Sequence, residues 1–230
     1  MTLIMKKLFP VAIFALLSAA LTAQATPSRA DLVTEVDSCY AILQEFMGKP
    51  ETAIPPAVWQ KAHAVLIVNQ FKGGLIIGLK DGYGVLMVKK SDGRWSLPVL
   101  VSANEASLGF QIGGKSVETV CIITDDQTPR LLFKQRVNIG VDAKAVAGPH
   151  AADIEKNNHP ILSTPVLVYT RERGLYAGAT LRVGRVARND DANFALYSTN
   201  ETMPELLYSD WVQAPQDVQS LMTYVQRLAP

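Results

Sequence analysis

The chain has 230 residues, a mass of 25.0 kDa, 48% hydrophobic and 19% charged residues, and a formal net charge of +1. That composition excludes an intrinsically disordered chain, and the length suffices for one domain whose core needs neither metal nor disulfide staples. The near-zero net charge argues against a basic nucleic-acid-binding domain, so no nucleic-acid partner is expected.

Residues 1–25 read as a cleavable secretory signal. Lys6 and Lys7 form a positive n-region, Leu8–Leu21 an apolar stretch, and Ala23-Gln24-Ala25 an A-x-A cleavage site. The apolar stretch is shorter than the roughly 20 residues of a membrane span. Cleavage after Ala25 predicts a periplasmic or secreted chain of 205 residues with formal net charge −1. Two cysteines remain, Cys39 and Cys121. An oxidising compartment permits a disulfide between them, whereas their apolar settings favour buried free thiols.

Asp31–Met47 predicts a helix, with Leu32, Val36, Cys39, Tyr40, Leu43 and Met47 at three- and four-residue steps. Ser28-x-x-Asp31 resembles a capping box, and Gly48 with Pro50 stops the helix. Pro55-Pro56 opens a short second helix running to about His63. From Ala64 the period changes to that of strands. The runs are Val65–Val68, Leu75–Leu79, Gly84–Val88, Trp95–Val101, Val117–Ile123 and Val166–Tyr169. Turns are expected at Lys72-Gly73-Gly74, Asp81-Gly82 and Asp92-Gly93.

A short helix is expected over about Pro129–Lys134, capped by Thr128, and a loop over Ala147–Pro165. Thr202-x-x-Glu205 and Pro204 mark another helix, and Gln216–Leu228 a final amphipathic one. Turns this short cannot make parallel crossovers. The expected class is therefore α+β: a mainly antiparallel, glycine-rich sheet, open or barrel-like, flanked by amphipathic N- and C-terminal helices. Residues 26–54 form an N-terminal helix and linker packed as one unit with a domain over 55–230. Val65–Gly78 and Val166–Gly178 also echo each other, either as a duplicated hairpin or by coincidence.

Catalytic and metal-binding motifs are mostly absent. Gly109–Ser116 matches the phosphate-loop pattern G-x-x-x-x-G-K-[ST]. Such a loop needs a hydrophobic strand before it and a helix after it. Here Ser102–Ser107 is polar and small, and Val117–Ile123 reads as a strand, so a glycine-rich strand is the better reading. The three histidines and two cysteines lack metal-site spacing. Asp190-Asp191-Ala192-Asn193 reads as a solvated turn, and no nucleophile elbow occurs. We expect no cofactor, no metal and no enzyme.

Charge is distributed unevenly. Asp31–Met47 carries four acids and no Lys or Arg, while Arg171–Arg188 carries five arginines against Glu172. Lys72, Lys80, Lys89, Lys90 and Arg94 crowd the first set of turns. Basic hairpin tips can meet anionic headgroups, or can simply solubilise edges and turns.

The segments Lys72–Gly78, Gly82–Val85, Leu108–Gly114, Gly140–Asp142, Arg173–Leu181 and Asp190–Tyr197, in that order, resemble the SYLF domain family. That family includes yeast actin-patch proteins and many secreted bacterial proteins. The resemblance covers most of residues 55–215. It implies a non-enzymatic module that binds membrane phospholipids; actin is not expected in an extracytoplasmic compartment. The lipid-binding candidates are Lys72, Lys89, Lys90, Arg171, Arg173, Arg182 and Arg185. The acidic N-terminal helix would be repelled by anionic lipid and is expected to pack on the domain instead. The alternative is a protein-interaction or structural envelope component without lipid affinity.

Overall fold

The computed structural model describes residues 27–73, 77–108, 114–133, 136–149, 160–173 and 184–230. Helix α1 (Arg29–Met47) starts with a full capping box between Ser28 and Asp31, as its sequence predicts. The Ser28 hydroxyl and backbone hold the Asp31 carboxyl below its usual range. Leu32, Val36, Cys39, Ile42, Leu43 and Phe46 form its buried face. Helix α2 (Pro56–Trp59) is shorter than expected and ends before His63.

Strands β1 (Ala64–Gly73), β2 (Ile77–Val88), β3 (Val99–Leu108) and β4 (Gly114–Ile123) are the long strands. After β4 come α3 (Thr128–Leu131), β5 (Val137–Ile139), β6 (Ala145–Ala147), a 3-10 turn at Pro160–Ser163, β7 (Val166–Arg173) and β8 (Gly184–Arg188). Helices α4 (Asp190–Tyr197), α5 (Met203–Tyr208) and α6 (Gln219–Leu228) close the chain.

One eight-stranded sheet runs in the order β5-β8-β3-β2-β1-β4-β7-β6. Every pairing is antiparallel except β6 with β7. The two edge strands, β5 and β6, follow one another in the chain, with an isolated bridge between Ile139 and Ala143. The sheet therefore curls into a nearly closed barrel, and the α+β reading holds.

Several local expectations are corrected. Asp81-Gly82 is not a turn; β2 runs straight through it. Gly82 is needed there for space, because a Cβ would lie 2.4 Å from the Asn69 carbonyl oxygen and 2.8 Å from Gln70 Cγ. Through that gap the buried Gln70 side chain crosses β2 and donates from Nε2 to the Ala103 carbonyl at 3.0 Å. The polar run Ser102–Ser107 belongs to β3, whereas Trp95 only bridges to Lys89.

The N-cap of α3 is Gln127 rather than Thr128, and Asp125 just before it accepts from the Gln127 and Thr128 amides at 2.7 Å each. Asp190–Asn193 opens a helix rather than a solvated turn. Fully buried Asn193 accepts from the Leu100 amide at 2.8 Å and donates to the Leu100 carbonyl at 2.9 Å, which pins α4 to β3. In the sequence echo, the first copy lies in β1, which pairs with β2, and Val166–Arg173 of the second lies in β7, while its Gly174–Gly178 lies outside the described residues.

Helix α1 is fixed at both ends. Arg29 pairs with Asp217 at 2.6 Å and donates to the Leu196 carbonyl at 3.1 Å. At the other end Glu45 pairs with Arg171 of β7 at 2.6 Å, and Phe46 stacks under the same guanidinium. Arg171 also pairs with Glu118, its direct cross-strand neighbour on β4. The acidic helix thus packs on the sheet, on the face that carries Glu118. Cys121 alternates onto the opposite face, so the sheet separates it from Cys39, and both thiols are free and buried. Burial pushes the Cys121 thiol up to about 12 and that of Cys39 higher still. Among the described residues no helix is long and apolar enough to cross a membrane.

Candidate functional site

The strands bring different basic residues to the two ends of the sheet. At the distal end β1 and β7 finish while β2, β4 and β8 begin. The register aligns Lys72 with Lys80 on one side and with Lys115 on the other. Three lysine positions on adjacent strands thus form one cross-strand row, bordered by Glu105 opposite Lys80.

Arg173 ends β7 opposite Ser116. Arg185 projects from β8, exposed, and makes no ion pair among the described residues. Phe71, one position before Lys72, is 60% exposed although it sits in a central strand.

The remaining candidates are placed otherwise. Arg171 is near this end but already bridges Glu45 and Glu118. Below it, Asn69 donates to the Tyr83 hydroxyl and accepts from the Ser116 hydroxyl, each at 3.1 Å, which extends the polar band across four strands. Arg182 lies outside the described residues. Lys89 and Lys90 follow the far end of β2, at the opposite end of the sheet. Lys90 pairs with Asp210 at 2.6 Å and donates to the Ser209 carbonyl at 2.8 Å, while Lys89 donates to Pro230. Arg94 joins the same cluster through Asp92 and Asp210.

Lys80 and Lys115 were not among the sequence candidates. Lys80 was visible as part of a basic cluster. Lys115 was visible only as the lysine of the phosphate-loop lookalike. Here Lys115 and Ser116 lie in strand β4 with no helix after them, so the lookalike is not a nucleotide loop. Ser116 instead spends its hydroxyl on Asn69.

The family model described as "Ysc84: Las17-binding protein actin regulator" matches residues 104–228, more than half the chain. The chain belongs to this family. The SYLF resemblance read from the sequence is to the same family. Among curated proteins, the chain is 26% identical over 196 residues to the rat SH3 domain-containing YSC84-like protein 1, covering 83% of this chain and 58% of that protein. It is 26% identical over 189 residues to a fission-yeast SH3 domain-containing protein, PJ696.02, covering 79% and 44%. It is 24% identical over 212 residues to the budding-yeast Protein YSC84, covering 88% and 45%. The chain therefore spans about half the length of these Ysc84-family relatives. None of these descriptions names an enzyme, and no solved structure matches.

Proposed function

We propose that this Ysc84-family chain is a non-enzymatic module that binds anionic phospholipid surfaces reversibly through the distal end of its sheet, in the cell-envelope compartment reached by its secretory leader. The in-register Lys72, Lys80 and Lys115 carry the reading. Each basic residue near an anionic membrane is worth about 1 kcal/mol, so three acting together supply about 3 kcal/mol. That suits conditional rather than permanent attachment, as does a mature chain whose net charge is close to zero.

The test is vesicle co-flotation of residues 26–230 with zwitterionic and with phosphatidylglycerol-rich vesicles, at low and physiological salt. Flotation with anionic lipid alone, weakened as salt screens the charge, supports the reading. Replacing Lys72, Lys80 and Lys115 with alanine should then reduce affinity on the order of a hundredfold. Failure to float with any lipid sinks it.

A second reading has one observation in its favour. The family description is itself that of a protein-binding protein. On this reading the same distal end meets a protein of the envelope, and cross-linking recovers that protein while vesicles recover nothing.

A further inference from the structure

Helix α1 covers only part of the sheet face on which it packs. Its Cys39 Sγ lies 3.8 Å from the Ile67 carbonyl oxygen of β1. Further along the helix Glu45 reaches Arg171 at 2.6 Å, level with Glu118 of β4 and Asn69 of β1. The helix therefore runs toward the distal end of the sheet, and Gly48 caps it there. Side chains alternate along a strand, so the next β1 residue on that face, two positions past Asn69, is Phe71. It is 60% exposed, beyond the cover that the helix gives.

The fold makes little use of this ring. Register sets Asp81 of β2 and Ser116 of β4 directly beside Phe71, with Arg173 of β7 beyond Ser116. An aromatic residue stabilises a sheet by packing on an apolar cross-strand neighbour, and these positions are polar or charged. The Ser116 hydroxyl is given to Asn69 at 3.1 Å. Among the described residues the aromatic pairs and guanidinium stacks all involve other rings. A single exposed apolar residue is ordinary on a protein surface. What sets Phe71 apart is its place, immediately before Lys72 at the centre of the lysine row.

We propose that Phe71 is an apolar anchor, which enters the acyl layer of an anionic membrane while the lysine row meets the headgroups. The inference rests on the lipid reading above and adds a second attachment to it. A basic patch alone gives weak, salt-sensitive binding, and firmer attachment takes a further, apolar signal. A phenyl ring leaving water for hydrocarbon supplies one that salt does not screen.

The test is a titration of residues 26–230 with phosphatidylglycerol vesicles at low and at physiological salt. Phe71→Ala should bind about tenfold more weakly, by the same factor at both salt concentrations. The loss in the triple alanine variant of the lysine row should instead shrink as salt rises. Phe71→Leu keeps an apolar side chain and should bind within about threefold of the parent. Both variants of Phe71 should unfold at the parent's denaturant midpoint, because the ring is mostly in water.

Phe71→Trp locates the side chain. Trp59 and Trp95 are buried and Trp211 adjoins Asp210 at the other end, so the emission gained over the parent reports on position 71. That emission should move to shorter wavelength on binding and be quenched by brominated acyl chains. Phe71→Ala binding as tightly as the parent, or added emission that brominated chains leave untouched, overturns the anchor and leaves the lysine row standing. A parent that binds no vesicle removes the lipid reading itself, and the anchor with it.

Discussion

The two ends of the same sheet hold their basic residues in different settings. At the end where β2 and β4 finish, the fold uses several of its basic side chains. Lys90, Arg94, Asp92 and Asp210 form a chain of ion pairs that ties the β2–β3 turn to the segment after α5. At the distal end, β1 places Lys72 between two further lysines with one acid at the border. A basic residue is available to a ligand only where the fold has not already matched it. Counting charges along the chain cannot make that distinction, because the partners are remote in sequence; Asp210 lies 120 residues from Lys90.

The largest expected difference is in lipid affinity. The triple variant Lys72→Ala, Lys80→Ala, Lys115→Ala should lose on the order of a hundredfold in affinity for phosphatidylglycerol vesicles. Replacing Lys89 and Lys90 removes nearly as much formal charge and should change affinity by no more than about twofold, since those cations sit at the other end. Equal losses from the two variants in vesicle titrations would erase the distinction between the ends.

Next in size is Gly82→Ala, which tests the register that builds the lysine row. The added methyl would meet the Asn69 carbonyl of β1 and the Gln70 side chain. Overpacking of this kind costs about 3 kcal/mol and should lower both the denaturation midpoint and lipid affinity. A variant as stable as the parent would mean that β1 and β2 do not approach so closely.

Arg171 sharpens the comparison from a third side. It belongs to the most basic segment of the sequence, yet the structure engages it with Glu45, Glu118 and Phe46. Arg171→Ala should therefore cost about 2 kcal/mol of stability, below the range for fully buried pairs because the arginine keeps partial contact with water. Chemical denaturation measures that loss. Lipid affinity of the folded variant should change less than tenfold, and a larger fall would return Arg171 to the binding surface.

How far the sequence foretold this arrangement depends on the range of the interactions. Helix α1 was legible because its cap, its apolar stripe and its stop all lie within the segment itself. Strands β1, β4 and β7 were legible as β-branched runs, whereas β2 was read as two runs split by a turn at Asp81-Gly82 and β3 only through Val101, because its second half is polar. Strands β5, β6 and β8 were not, being short and stabilised by partners far along the chain. Helix α4 was hidden because its first turn is polar, and Asn193 is buried for the sake of β3. Lys72 and Arg173 could be read as basic strand ends. The alignment of Lys115 with Lys72 could not, because it requires knowing that β1 pairs with β4.

The smallest expected effect is in the acid response of the proximal cluster. Side-chain hydrogen bonds from Lys90 and then Arg94 hold the Asp210 carboxyl below its ordinary value of 3.8, and Asp92 is held down first by the Arg94 backbone amide and then by its side chain. A carboxyl lowered by folding contributes stability that is fully present above its unfolded value and is lost as pH falls through the folded one. Thermal midpoints should thus change little from about pH 7 to 5 on account of these groups, then fall below about pH 4. Asp210→Asn removes one titrating group and should make that fall shallower without abolishing it, since Asp31, Asp92 and Glu205 are lowered too. An acid profile identical to that of the parent would show that the cluster loosens in solution. The contrast between the two ends would then rest on the register of the lysine row alone.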